Sequence, residues 1–154
     1  MEQMPTVEAG IRIGAPPAEV AGVLLNAALA PAWTAGLDRL ELMEGEAGQP
    51  GCVAHAHYIE GGRHHTMVDV LQEVTPNRRF VSRVTGGGIL ATVETHLLPT
   101  GDGATELTVR WVGTGTKPLT RVLLPMLKRR IAQRAAADLQ SLRELVETAS
   151  RQQG

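Results

Sequence analysis

The chain has 154 residues, of which 43% are hydrophobic and 20% charged, and its formal net charge is −1. This composition excludes a disordered tail, and the small net charge argues against a nucleic-acid-binding protein, which usually carries a large basic excess. No apolar run approaches the roughly 20 residues of a transmembrane helix, so we predict no transmembrane segment. The N-terminus lacks the features of a signal peptide, and the single cysteine, Cys52, cannot form an internal disulfide. We therefore expect one cytoplasmic domain over residues 1–154.

The first part of the chain predicts a strand and two short helices. Apolar residues alternate with polar residues or glycine over 7–13, which is the period of a half-buried strand. Two prolines at 16–17 end this strand, because proline cannot donate to a ladder but suits the first turn of a helix. Helical spacing follows over 20–27, and a second short helix over 29–36 contains Trp33.

The middle of the chain predicts six strands. Those at 52–59 and 64–74 are joined through Gly61-Gly62, a pair that favours a two-residue hairpin turn. The other four strands are predicted near 40–42 and at 79–85, 89–98 and 105–112.

The last part predicts one long helix from about Thr116 to Thr148, with Thr116 as its cap and Pro118 in its first turn. Pro125 should kink or restart this helix. Apolar residues recur every three or four positions and form one stripe, which consists of Leu127, Ile131, Ala135, Leu139, Leu142 and Val146. We expect Leu127, Ile131, Leu139 and Leu142 to be buried. The element order β-α-α-β-β-β-β-β-β-α predicts an α+β fold, in which a curved antiparallel sheet of about seven strands surrounds the C-terminal helix.

Four segments resemble those of one protein superfamily. Residues 11–20 read IRIGAPPAEV and look like its opening, in which a strand runs into A-P-x-x-V. PAW at 31–33, EVTPNRRF at 73–80 and GDGATEL at 101–107 follow in the same order. The chain thus resembles the START-like (SRPBCC, helix-grip) superfamily, and most of all its polyketide cyclase/dehydrase branch. The resemblance implies a hydrophobic cavity between the sheet and the long helix; it identifies no catalytic residue, since fold and function separate freely.

The Gly61-Gly62 turn also predicts which residues share a face, because cross-strand partners lie on the same side of a sheet. One face would carry Cys52, Ala54, Ala56, Tyr58, His65, Met67, Asp69 and Leu71. The other would carry Val53, His55, His57, Ile59, His64, Thr66, Val68 and Val70. We predict that the first face points inward, because its small residues leave room for a ligand and its parity agrees with the resemblance. A slip of one residue would exchange the faces.

The same reasoning applies to the last hairpin, where Val93, Thr95 and Leu97 would face inward with Leu107, Val109 and Trp111. Glu94 and Arg110 would then lie outside, close enough to pair. The predicted cavity-lining residues are Trp33, Ala54, Ala56, Tyr58, His65, Met67, Asp69, Phe80, Thr95, Trp111, Leu123, Met126 and Leu127.

Tyr58, His65 and Asp69 are the candidate catalytic residues. His65 could move a proton near neutral pH, with Asp69 orienting it and Tyr58 donating a hydrogen bond to a carbonyl, as an aldol cyclisation or dehydration requires. The alternative is a satisfied polar network or a position at the wet rim of the sheet. His55, His57 and His64 cluster on the opposite face without an acidic or cysteine ligand there, so we predict no metal site.

Three functions remain open on the sequence alone. The first is the binding of a hydrophobic or amphipathic small molecule that is polyketide-, lipid- or quinone-like. The second is a cofactor-free polyketide cyclase, aromatase or dehydratase, and the third is a co-chaperone-type interaction module, which would expose a large apolar patch. No acidic residue lies between Glu106 and Asp138. Lys128, Arg129 and Arg134 in this stretch could dock an acidic carrier protein or an anionic surface, or form a solvated helix face.

Overall fold

The structure, a computed structural model, describes residues 5–152 and contains the predicted elements in the predicted order. They are β1 (Thr6–Ile13), α1 (Pro17–Leu24), α2 (Ala30–Trp33), β2 (Leu37–Glu44), β3 (Val53–Glu60), β4 (Arg63–Thr75), β5 (Arg79–Gly86), β6 (Ile89–Pro99), β7 (Thr105–Gly115), α3 (Pro118–Leu123), a 3₁₀ segment (Leu124–Leu127) and α4 (Lys128–Gln152). None of the helices within residues 5–152 combines the length and the apolar character that crossing a bilayer requires.

The seven strands form one antiparallel sheet in the order β1-β7-β6-β5-β4-β3-β2. The predicted hairpin register is confirmed: Glu60 is opposite Arg63, Tyr58 is opposite His65, and this pairing continues along both strands. A bulge between Leu71 and Glu73 interrupts the pairing of β4 with β5, and bulges of this kind bend a strand. The sheet and the long helix together form the predicted helix-grip fold.

The main core lies between one end of the sheet and the C-terminal half of α4. Leu139, Leu142 and Val146 of the helix are buried there. They pack with buried residues of the sheet and of α1, which are Ile13, Val20, Leu71, Phe80, Leu97 and Leu107. This end of the molecule therefore contains the larger hydrophobic core. The N-terminal half of α4 lies outside that core.

The prediction that Leu127 is buried is wrong. Its side chain is 38% exposed, Ile131 is only partly buried, and Leu124 is the fully buried residue of this region. The cause is the break at Pro125, where a 3₁₀ segment separates α3 from α4. A 3₁₀ turn takes three residues instead of 3.6, so residues before and after it do not share one α-helical stripe.

The helical region also starts one residue later than predicted. Lys117, and not Thr116, is the N-cap residue of α3, and its backbone N–H donates to the Thr120 hydroxyl at 3.1 Å. Pro118 occupies the first turn, as predicted. The stretch from Thr116 to Thr148 is consequently two helices and a 3₁₀ connection, of which α4 is the long one.

Glu94 and Arg110 lie opposite each other on the outer face, as predicted, but they have other partners. Glu94 accepts hydrogen bonds from Arg79 at 2.8 Å and from His96 at 2.7 Å, whereas Arg110 lies 3.5 Å from Glu8. The neighbouring strands on either side thus supply the closer charges.

Candidate ligand-binding site

A small pocket of about 130 Å³ lies on the face of the sheet that carries Ala54 and Asp69, and none of its lining residues within 5–152 belongs to α4. Its walls are mostly aliphatic and come from the end of α1 and the segment after it, from strands β2 to β5 and from the β2–β3 loop. The lining residues are Leu24, Leu25, Ala27, Leu40, Leu42, Ala47, Gly48, Cys52, Ala54, Asp69, Leu71 and Ser82. Ala54 and Asp69 are cross-strand partners, and both were predicted to line the cavity. Their small or polar side chains leave the space that larger residues would fill.

Asp69 is the acidic residue in this pocket wall. Burial raises the pKa of its carboxyl, and a hydrogen bond with Ser82 works in the opposite direction without cancelling the effect. A carboxyl group among aliphatic side chains, with one polar neighbour, is the kind of group that orients a ligand in an otherwise apolar pocket. The chemistry of this site therefore centres on Asp69 and Ser82.

A second polar group lies further along the same face. The Tyr58 and His65 rings are stacked, with their centroids 5.0 Å apart and an interplanar angle of 7°. The Arg134 guanidinium from α4 lies over Tyr58, and it also pairs with Glu60 and donates to the Ala35 carbonyl oxygen. Burial raises the pKa of Tyr58, while the charge of Arg134 lowers it.

Arg134 therefore has a different position from the one predicted. It was grouped with Lys128 and Arg129 as a cation free for an acidic partner, but its contacts are with Glu60, Ala35 and Tyr58. Helical spacing could have predicted this position of Arg134. Positions 134, 138 and 142 lie on one helix face, and Leu142 was correctly predicted to be buried.

Asp138 is a further site residue that the sequence analysis did not identify. Its carboxylate accepts a hydrogen bond from the Ala35 N–H at 3.0 Å. Burial raises the pKa of Asp138, whereas the bond from Ala35 and the charge of Arg134 lower it. Arg134 and Asp138 together hold the loop after α2 against the helix, which closes one side of the inner face.

The three candidate catalytic residues share the inner face but do not form the predicted relay. The carboxylate nearest to His65 is that of Glu60, at 3.8 Å, and the His65 side chain is 43% exposed. Asp69 bonds with Ser82 instead. His65 therefore lies at the rim, because its position next to the β3–β4 turn carries it beyond the end of the pocket.

The other predicted lining residues fall into three groups. Trp33, Met67, Thr95 and Trp111 are half-buried. Ala56 and Phe80 are buried within hydrophobic clusters, so they belong to the core. Leu123, Met126 and Leu127 are exposed, so they do not close the cavity as expected.

Trp33 has an unsatisfied polar atom. Its indole Nε1 is buried, and no hydrogen-bond acceptor reaches it within residues 5–152. The ring packs against the core cluster that also contains Leu24, Leu25 and Leu71, all of which line the pocket. A buried donor without a partner is costly, so an acceptor from a ligand or water would stabilise it.

The indole of Trp111 lies across Gly113, two residues along β7. A Cβ at Gly113 would stand 2.2 Å from the Trp111 ring, which no side chain tolerates. The glycine thus allows the ring to lie flat along the inner face of the strand.

A histidine group on the outer face differs from expectation, because an acidic residue does accompany it. Glu41 on β2 is opposite His55, and the donor atoms of Glu41, His55 and His57 lie within 4.8 Å of one another. His57 Nε2 is 3.1 Å from Glu41, and His57 Nδ1 is 3.3 Å from the Thr66 hydroxyl. Both ring nitrogens of His57 thus have protein partners.

A larger depression, of about 450 Å³, lies on the outer face, around Gly10. Charged and polar side chains border it, among them Glu8, Glu94, His96 and Arg110. It is separated from Asp69 by the sheet, and its polar border does not suit a hydrophobic ligand.

Comparison with known families decides the classification. The family model described as "Polyketide cyclase / dehydrase and lipid transport" matches residues 4–147. The chain belongs to this family. The resemblance noted in the sequence is thereby confirmed. No curated protein sequence matches this chain.

Solved structures show the same fold at low sequence identity. The ZhuI aromatase/cyclase from Streptomyces sp. R1128 is 20% identical, with a TM-score of 0.81 and coverage of 99% of each chain. A protein from Thermus thermophilus is 19% identical, with a TM-score of 0.78 over 95% of this chain and 99% of its own. A START superfamily protein from Mycobacterium smegmatis is 14% identical, with a TM-score of 0.71 over 97% and 99%.

Proposed function

We propose that this protein binds an amphipathic small molecule, polyketide-, lipid- or quinone-like, on the inner face of its sheet. The observation that carries the proposal is the Asp69 carboxyl, which is half-buried in the wall of an aliphatic pocket beside Ser82. The apolar body of the ligand would displace water from the aliphatic walls, and a hydroxyl or carbonyl group of the ligand would bond with Asp69 or Ser82. The chain would act as one cytoplasmic ligand-binding domain.

The ligand would extend beyond the pocket itself. A volume of about 130 Å³ is below the roughly 300 Å³ at which pockets for drug-sized molecules begin. The inner face next to the pocket is only half-buried at Tyr58, Met67, Thr95 and Trp111. Covering these side chains would bury further apolar area, at about 25 cal/mol per Å².

A cofactor-free cyclase or dehydratase is the second candidate. Because burial raises the pKa of Asp69, its carboxyl keeps a proton to higher pH than usual and can serve as a general acid toward a bound carbonyl. The ZhuI protein, which has this fold, is named an aromatase/cyclase. In this mechanism Asp69, and not His65, transfers the proton, so Asp69→Asn would abolish turnover of a polyketide chain while leaving its binding intact.

The third candidate, an interaction module, is favoured by a separate observation. It requires a large exposed apolar patch, and exposed apolar side chains are concentrated in and just after α3. This surface lies outside the pocket, so it is compatible with ligand binding.

Native mass spectrometry of the protein purified from its own host tests the proposal. We expect a small-molecule adduct that survives gentle ionisation and disappears under denaturing conditions. A protein that shows only its own mass, and that also fails to bind the neutral fluorophore N-phenyl-1-naphthylamine, would contradict it.

A further inference from the structure

The helical segment before α4 turns its apolar side outward. Its exposed apolar side chains are at positions 119, 122 and 123 of α3 and at positions 126 and 127 of the 3₁₀ segment that follows. We name this surface, which consists of Leu119, Val122, Leu123, Met126 and Leu127, the outer stripe. Leu119 and Val122 are each 67% exposed and Met126 is 75% exposed. In a globular protein such a stripe normally faces the core, so its outward position needs a partner to cover it.

Contacts on the opposite side fix this orientation. Leu124 is buried, and Gly115 lies directly beneath the helix, where an added Cβ would stand 2.3 Å from the Arg121 backbone nitrogen. Thr120 lies against Gly88 in the β5–β6 turn, and Arg121 Nε donates to the Gly115 carbonyl oxygen at 3.2 Å. Rotating the outer stripe inward would break these contacts, so its exposure is built into the fold.

Positive charges flank the outer stripe along the chain. They form what we name the basic flank, which consists of Lys117, Arg121, Lys128, Arg129 and Arg130. Within residues 5–152 no ion pair involves any of these five cations, and the sequence contains no acidic residue between Glu106 and Asp138. The chain as a whole has a net charge of −1, so this positive surface is local.

We propose that the outer stripe and the basic flank dock this protein on an anionic lipid bilayer. Aliphatic side chains that reach below the headgroups, with cations at the level of the lipid phosphates, are the pattern of an interfacial amphipathic helix. A second copy of the chain is a poor partner, because it would bring two basic flanks together. The outer stripe also offers few groups for the polar contacts of a protein interface. This docking does not depend on the proposed ligand binding, because the outer stripe and the pocket share no residue. A membrane could nevertheless supply such a ligand.

Vesicle sedimentation tests the proposal with the full chain. We expect binding to vesicles of phosphatidylglycerol and phosphatidylcholine in equal amounts, little binding to phosphatidylcholine alone, and release at about 0.5 M salt, where surface charges are screened. Replacing Leu119, Val122 and Met126 together by Ser should weaken binding by about tenfold or more without lowering the melting temperature, because all three are exposed. A control variant carries the same change at three exposed apolar residues elsewhere, Met43, Ile59 and Leu98, and should bind like the parent.

A second pair of variants tests the contribution of the basic flank. Changing Lys128, Arg129 and Arg130 to Gln should weaken binding to the anionic vesicles by about tenfold or more, since each of these cations is attracted to the lipid phosphates. The control changes three exposed arginines on other elements to Gln, namely Arg39, Arg78 and Arg83, and should have a much smaller effect.

Three results would overturn the proposal. One is the absence of binding to the anionic vesicles at low salt, and another is binding that the Ser variant leaves unchanged. The third is a protein that does not bind vesicles but uses the outer stripe for a partner of another class. Such a partner would be a second copy in a concentration-dependent dimer, or an acidic carrier protein.

Discussion

The guanidinium of Arg134 lies over the phenol ring of Tyr58, with Cζ 5.5 Å from the ring centroid. This contact joins α4 to β3 at the open side of the inner face, and the same guanidinium pairs with Glu60 and with the carbonyl oxygen of Ala35. One side chain of the helix thus connects the β3–β4 hairpin with the loop after α2.

Arg134→Leu should destabilise the fold. The cation–π contact and the ion pair are partly exposed, so together they contribute about 1 kcal/mol, which corresponds to a fall of roughly 3 °C in melting temperature for a domain of this size. Arg130→Leu on the same helix is the control, because Arg130 is exposed. Thermal melts of both variants check this, and equal melting temperatures would show that Arg134 is only a solvated cation.

Leu142→Ala should cost about 2–5 kcal/mol, because Leu142 is fully buried and its truncation leaves a cavity in the core. Leu127→Ala should cost less than about 1 kcal/mol, because Leu127 lies on the exposed outer stripe. Urea denaturation measures both values. A large loss of stability at Leu127 would restore the single continuous stripe that the sequence suggested.

Gly113→Val should displace the Trp111 indole, since its Cβ would stand 2.2 Å from the ring. We expect a loss of about 1–3 kcal/mol from overpacking, together with altered Trp fluorescence. Gly22→Ala is the control, because nothing lies within 4 Å of its Cβ in α1. In this helix alanine should stabilise by about 0.5–1 kcal/mol. A Gly113→Val variant with parental stability and emission would place the ring elsewhere.

The pKa of Asp69 predicts how stability depends on pH. Burial raises this pKa above its ordinary value of 3.8, so the folded protein binds more protons than the unfolded chain between the two values. The contribution of Asp69 to the free energy of unfolding is therefore greatest below about pH 4 and falls as pH rises through this window.

Asp69→Asn removes this dependence. The stability of the parent minus that of the variant should decline from about pH 4 upward and become level above the raised pKa. Urea denaturation of both proteins across this range checks the sign. If the stability difference between parent and variant were constant, or rose with pH, the surroundings of Asp69 would not disfavour its charged form.

Sequence patterns predicted the sheet well because its register depends on local chemistry. The Gly61-Gly62 turn and the period-two alternation place Ala54 opposite Asp69 without any long-range information. The resemblance to a known superfamily supplied the relation between sheet and helix, which no local pattern contains.

The misplaced residues depend on how separate elements meet. Leu127 followed the helical period, but the 3₁₀ segment at Pro125 changed the face on which it lies. Arg134 lies on the same helix face as Leu142, yet its partner Glu60 is distant in sequence. Glu41 meets His57 only because β2 pairs with β3 across a loop whose path the sequence does not fix.

The central claim is that a hydrophobic molecule occupies the pocket beside Asp69, and titration of two neighbouring variants with N-phenyl-1-naphthylamine tests it most directly. Ala54→Leu fills part of a pocket of only about 130 Å³, whereas His55→Leu places the same side chain on the opposite face of the same strand. With both variants folded, Ala54→Leu should bind the fluorophore about tenfold more weakly than the parent and His55→Leu should bind it equally well. Parental affinity in Ala54→Leu, or a loss confined to His55→Leu, would contradict the account.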